Sequence, residues 1–318
     1  ATVIGGVGTD TICMDSTTNA LTVVSSDFVK VAQVEILALN GTGTQDVTLG
    51  AATNKAFATG ITVTTLATAT SLNLQGALST VAVHATGTNN DDALIGGFVN
   101  DTIIGGAGND TIEGKAGVDS LSGGNDDDSF VYDSAVADAT GAGETIAGGS
   151  GTDRIVVAGG VTAINFSDDS ISSIETLELT TNVAGVGDAN DQSLTMTDAQ
   201  IDGLSTINAN GGDNITVSDT MTSDMLNGTV MNGTLELNLT EQTGTAAQAL
   251  TLVETTMDNA ADLLKVDASG LTGDDTLTFI GSAETTARVS VTGGDGADSI
   301  VGSNANLTDT IIGGAGND

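Results

Sequence analysis

Large apolar residues recur in this chain at an interval of nine. Leu94, Ile103, Ile112, Leu121 and Phe130 each stand at the centre of a three-residue segment, and six glycine-rich or polar positions separate one segment from the next. A strand turns successive side chains to opposite faces, so a triplet of this kind buries its centre and directs its flanks outward. The spacing predicts a coil of very short strands, each burying one large side chain. Longer alternation occurs at Glu35-Ile36-Leu37-Ala38-Leu39 and Glu175-Thr176-Leu177-Glu178-Leu179, which read as half-buried strands. Helical periodicity is scarce. Two capped stretches, Thr197 to Asp202 and Thr256 to Asp262, predict short helical turns and little other helix. The expected fold class is all-β: a parallel β-solenoid or β-roll, with irregular β-coils between the repeats.

The residues between the apolar centres follow the pattern G-G-x-G-x-D-x-U-x, where U is the large apolar residue. All five defined positions are filled at 5–13, 105–113, 148–156 and 293–301. Nearly complete copies lie at 96–104, 114–122, 123–131 and 270–278, and a weaker one at 87–95 makes five unbroken nonads from 87 to 131. Each part has a separate task. Glycine accepts φ > 0 and leaves its carbonyl uncovered. Aspartate offers a carboxylate to a hard cation, which takes about six to eight oxygens when it is calcium. A nonad of this kind is the unit of a calcium-binding parallel β-roll.

The geometry can be taken further. Successive six-residue turns fall on opposite edges of the coil, so Asp92, Asp110 and Asp128 line one edge and Asp101 and Asp119 the other. Calcium between stacked turns would take those carboxylates, together with main-chain carbonyls from the glycine region: Gly96, Gly105, Ala107, Gly114 and Gly123. The same role is expected of Asp10, Asp153, Asp275, Asp298 and Asp318 wherever a partner turn stacks. Several calcium ions are expected, because without them carboxylates repel across about 5 Å of coil separation. Three departures weaken individual sites: Val99 and Asp126 replace turn glycines, and Lys115 replaces a second glycine. The segment 302–312 is two residues too long and is expected to bulge.

Composition sharpens the partners. With 42 acidic and 6 basic residues the formal charge is −36, which argues against nucleic acid and anionic membrane and calls for cations. Hydrophobic residues reach 39% while aromatics are 2%, so the core is thin and aliphatic, as in a solenoid. Proline is absent, consistent with long ladders of paired strands. No apolar stretch has the length of a membrane span. The lone Cys13 and lone His84 read as outward strand positions. A histidine-based metalloprotease motif needs more than one histidine, and no G-x-S-x-G occurs. No enzymatic activity is expected.

Two large modules, about 1–131 and 132–318, share one order: nonad, short strands, a V/I-E-x-L-x-L phrase, irregular β-coils, nonads. The finer division is 1–86 as a β-solenoid module with one nonad, 87–131 as a β-roll, 132–292 as a second β-solenoid module with short helical turns, and 293–318 as the start of a further β-roll. Both termini fall inside nonads, so the chain reads as a segment of a longer repeat protein.

The nonads resemble the hemolysin-type, or RTX, calcium-binding repeats. The V-E-x-L-x-L phrases and Asp267-Ala268-Ser269-Gly270-Leu271-Thr272-Gly273 resemble, more loosely, bacterial surface-layer (S-layer) proteins of the Caulobacter type. The resemblance implies type I export, folding triggered by calcium outside the cell, and a structural or adhesive role on the bacterial surface. The implied partners are further copies of the chain and cell-surface polysaccharide, with no membrane insertion. Three readings stay open: a self-assembling S-layer, sheath or filament subunit; the repeat region of a large adhesin; or the secretion and folding domain of an exported enzyme or toxin.

Overall fold

The computed structural model describes residues 3–4, 7–14, 21–57, 60–65, 69, 71–76, 79–133, 143–158, 162–179, 192–209, 213–222, 226, 229–241, 247–253, 256–257 and 259–318. Among them every strand pairing is parallel. The chain is a β-solenoid with almost no helix, and it divides into two compact units: 1–155 with 168–174, and 156–167 with 175–318.

In the first unit the chain alternates between two sheets as it advances. One sheet stacks Thr11–Met14, Ile36–Leu39, Ile61–Thr65, Val83–Thr86, Thr102–Ala107, Ser120–Asn125, Thr145–Ser150 and Ser170–Ser172 in that order. The other stacks Leu21–Val23, Thr44–Thr48, Ser71–Gln75, Ala93–Ile95, Thr111–Glu113 and Ser129–Tyr132. Chain order and stacking order coincide, which is what a repeated coil of nearly constant length produces. The second unit repeats the scheme. Seven strands from Thr162–Asn165 to Thr310–Ile312 form one sheet, Ala247–Thr251, Thr276–Ile280 and Ser299–Val301 form a smaller one, and Thr176–Leu179, Thr206–Asn208 and Val230–Asn232 stack in a further row.

The nine-residue apolar interval becomes a strip through the coil. Leu94, Ile112 and Phe130 pair in register within one sheet, and Ile103 and Leu121 in the other. All five are buried. The half-buried strands appear at Ile36–Leu39 and Thr176–Leu179 with alternate residues inside. On the second sheet the strands outgrow their triplets. Thr102–Ala107 and Ser120–Asn125 run through the glycines, because Gly106, Gly124 and Gly149 continue the pairing. Cys13 and His84 face outward.

Helix is confined to single turns. Asp198–Asp202 forms as expected, with a reciprocal cap: the Gln200 N–H donates to Thr197 Oγ1 and the Thr197 N–H donates to Gln200 Oε1. The turn expected at Thr256 to Asp262 is corrected: its described residues form non-helical turns. There the Asn259 N–H donates to Asp262 Oδ2 and the Ala261 N–H to Asn259 Oδ1, so the side chains take the donors a helix needs. Ala51–Ala56, which carries no capping signature, is helical. Its alanines favour helix, and it ends at Phe57, whose ring packs edge-on against Phe28 at 5.3 Å.

A core this thin has little capacity to collapse around a lost side chain. Replacing fully buried Phe130 by alanine should lower the unfolding free energy by about 3–5 kcal/mol. Urea denaturation in saturating calcium measures it.

Candidate metal centre

Parallel pairing of Ala93 with Thr111 and Thr111 with Ser129 brings the preceding aspartates to one edge, a coil apart. There they link into a column. The main-chain N–H of Asp92 donates to Asp110 Oδ1, that of Asp110 to Asp128 Oδ1, and that of Asp128 to Asp153 Oδ1, each at 2.8 Å. Leu72 opens the column by donating to Asp92 Oδ1. On the opposite edge Val83 donates to Asp101 Oδ1 and Asp101 to Asp119 Oδ1, both at 2.7 Å. In the second unit Leu277 donates to Asp298 Oδ1 at 2.7 Å and Asp298 to Asp318 Oδ1 at 3.1 Å. One carboxylate oxygen of each aspartate thus splices its turn to the preceding one.

In Asp92, Asp101 and Asp298 the other oxygen accepts a main-chain N–H of its own turn, from Thr88, Gly97 and Gly294. Asp110, Asp119 and Asp128 are buried, and their Oδ2 atoms have no hydrogen-bond partner. The first glycine of each nonad marks where these atoms point. A Cβ on Gly105 would collide with Asp110 Oδ2 and approach the carbonyl oxygen of Gly123. The same pairing of own carboxylate and next carbonyl recurs at Gly87 with Asp92 and Gly105, at Gly96 with Asp101 and Gly114, at Gly123 with Asp128 and Gly148, and at Gly293 with Asp298 and Gly313. Only a residue without a side chain leaves this oxygen-lined space open. The second glycine is constrained differently: Gly106 has φ +126° beneath the Thr88 carbonyl. Lys115 and Asp126 hold the left-handed backbone at nonad glycine positions, φ +70° and +72°, at a cost of about 1–2 kcal/mol each.

Burial makes these carboxylates reluctant to ionise. Desolvation, against the pull of main-chain N–H groups, raises Asp101 and Asp128 to about 6 and Asp110 and Asp119 to about 7. Neighbouring column members add repulsion: Asp92 and Asp128 both act on Asp110. A buried unpaired charge is costly unless a counter-charge stands beside it.

The donor set fits a hard cation. The facing groups are carboxylate and carbonyl oxygens, suited to calcium. Among the described residues no three His, Cys, Asp or Glu side chains gather as a metal cluster. Carbonyls are therefore half of the donor set.

The remaining expected residues fall in varied places. Ala107 ends a strand, its N–H directed to Thr88 O. The Asp10 N–H donates to Glu35 Oε2, so its partner is not a second nonad. Asp275 lies out of the column, with its carbonyl beneath Gly296, while Leu277 pairs above Asp298. The two extra residues of 302–312 widen the turn: Ser303 N–H donates to Asp309 Oδ2 across six residues, against four for Gly97 and Asp101. Asp309 still accepts from the Val289 N–H, as a column member does.

Further carboxylates in such positions escape the nonad pattern, among them Glu144, Asp169 and Asp213. Glu144 follows Asp119, accepts from Tyr132 Oη at 2.9 Å, and donates its own N–H to Asp169 Oδ1. Asp213 accepts from the Gln192 N–H. The signal for the first two was a coil of 25 residues in place of 18, the step that also separates Asp128 from Asp153.

The family described as RTX calcium-binding nonapeptide repeat (4 copies) matches the chain at 86–121, 104–134 and 292–318. The chain carries RTX repeats, a calcium-binding type that typically occurs in extracellular proteins. No curated protein matches it, and no solved structure does.

The raised carboxyls fix the sign of the pH response. In chelator the folded chain binds more protons than the unfolded chain between about pH 4 and 7, so stability falls as pH rises through that window. Calcium needs the deprotonated groups, so its apparent affinity should fall as pH drops through 7 to 6. Denaturation midpoints in chelator should be higher at pH 5 than at pH 8, and the order should reverse in millimolar calcium.

Proposed function

We propose that this chain is a secreted calcium-binding structural protein of the bacterial cell surface, which assembles with further copies of itself into an S-layer, sheath or filament. The observation that carries the reading is the pair of buried aspartate columns in which Oδ2 of Asp110, Asp119 and Asp128 lacks a partner, with those of Asp110 and Asp128 beside uncovered carbonyls. Asp92, Asp101, Asp110, Asp119 and Asp128 would hold the ions, with the carbonyls of Gly96, Gly105, Gly114 and Gly123. Asp10, Asp153, Asp298 and Asp318 would contribute at the outlying turns. Bound calcium would supply positive charge and a multidentate bridge between coils.

The same geometry leaves little for catalysis. One oxygen of each column aspartate is committed to a main-chain N–H of the preceding coil, and in Asp92, Asp101 and Asp298 the other accepts a main-chain N–H of its own turn. We assign the chain no enzymatic role. Among the described residues no helix is long and apolar enough to cross a membrane. Cell-surface polysaccharide is a further partner consistent with an acidic, cation-requiring surface.

Self-assembly follows the same electrostatics. Two copies near −36 repel unless cations bridge or screen their facing surfaces. Monovalent salt screens but offers no multidentate bridge. Calorimetric titration should give several sites with dissociation constants of about 0.1–1 mM, as for extracellular modules. Electron microscopy of the native assembly should show dispersal on chelation, with sodium chloride a poor substitute. Particles that stay assembled once calcium is removed would refute the lattice mechanism.

A further inference from the structure

Four described residues other than glycine have a left-handed backbone. Lys115 and Asp126 stand at glycine positions of nonads. Gln33 and Ser173, at φ +57° and +52°, do not. They occupy the same place in the two V/I-E-x-L-x-L phrases, two residues before Glu35 and Glu175. The Ser173 side chain is exposed, so core packing does not impose its conformation.

What the bent backbone achieves is visible at Ser173. Its carbonyl oxygen lies against Gly148, where a Cβ would strike it and Asp153 Oδ2 together. Gly123 meets the Gly148 carbonyl and Asp128 Oδ2 in the same way, and Gly105 meets the Gly123 carbonyl and Asp110 Oδ2. Ser173 therefore puts a carbonyl where the next nonad would have put a glycine carbonyl. The earlier phrase supplies the carboxylate half of the substitution. The Asp10 N–H donates to Glu35 Oε2 at 2.8 Å, the bond that Asp110 makes to Asp128 Oδ1. The Glu35 and Ile36 N–H groups both return to the Asp10 carbonyl.

We propose that the V/I-E-x-L-x-L phrase is the closing half of a calcium site. It completes the turn 148–153 through the Ser173 carbonyl, and the turn ending at Asp10 through the Glu35 carboxylate. This accounts for its position in the chain: it follows the nonads at 5–13 and 148–156, which have no nonad stacked next. It also accounts for a strained residue with an exposed side chain. The assignment rests on the calcium reading of the columns and adds sites outside the stretches that match the repeat family.

The test is the number of calcium ions bound by the full chain, counted by native mass spectrometry and by equilibrium dialysis. Valine at 173 cannot hold φ near +50° without large strain, so its carbonyl swings away, whereas glycine holds that φ freely. Ser173→Val should bind one calcium fewer than the unsubstituted chain and Ser173→Gly the same number. Glu35→Ala should also lose one. Far-UV circular dichroism in calcium checks that each variant folds, and Ser173→Gly, which relieves strain, keeps the comparison meaningful if the valine variant does not. An unsubstituted chain that binds no calcium would sink the reading of the columns. Calcium binding with unchanged counts in Ser173→Val and Glu35→Ala would leave that reading intact and overturn this one. Equal loss in Ser173→Val and Ser173→Gly would overturn the role of the carbonyl.

Discussion

A carboxylate taken out of water at every corner of the coil constrains everything else in this fold. Half of each column aspartate is compensated by a neighbouring main-chain N–H, which fixes the stacking of one turn on the next. In Asp110, Asp119 and Asp128 the other oxygen has no hydrogen-bond partner, and the first glycine of each nonad leaves the space beside it open. Apolar burial alone would not hold such turns together. One large side chain per short strand contributes about 1.5–3 kcal/mol, while ordering nine residues costs about 1–2 kcal/mol each in backbone entropy alone. Burial of that one side chain falls well short of the ordering cost, so the hydrogen bonds between turns and the charge state of the corners decide whether the short-strand coils persist.

That dependence on the corners explains why the glycines tolerate so little. At Gly105 and Gly123 a methyl group would fill the space between carboxylate and carbonyl oxygens. At Gly106 the backbone itself requires φ > 0. The pattern is two constraints written in one residue type. It also explains why Asp126 is accepted at a glycine position: its exposed turn carries strain, but Asp126 Oδ2 accepts the Gly108 N–H from the preceding coil.

Legibility in the sequence followed coil length. Where the coil is 18 residues, the apolar centres, the alternating edges and the column order could all be read, because each residue type repeats at one offset. Where the coil stretches to 25 residues the offset fails, and Glu144 and Asp169 disappear into ordinary strand sequence although they occupy column positions. Asp275 shows the converse. It satisfies the nonad pattern, yet the strand after it pairs two residues out of step with that of Asp298, so local sequence and stacking disagree. The helix Ala51–Ala56 was illegible for a different reason: its uncapped start gives no local signal, and its Phe57–Phe28 packing is tertiary.

Lys115 shows what a fixed cation does in the same architecture. Its ammonium lies between Glu113 and Asp133, and the latter is one full coil away along the chain. A hydrogen bond with the Glu113 carboxyl, and after it the Lys115 ammonium, hold Asp133 below the usual carboxylate range, and the two acids keep the lysine charged despite partial burial. Glu113, at a nonad position that should face solvent, is buried beneath this contact. A covalently tethered charge can thus join successive coils, but it needs a long side chain at a site where the backbone prefers glycine, and it satisfies only the carboxylates within its reach. A mobile divalent ion requires no side chain at the turn, accepts carbonyls as readily as carboxylates, and fits every coil of the same length. The glycine-rich nonad is the sequence that second solution demands, and Lys115 marks the nonad of the β-roll, 114–122, where the first was adopted.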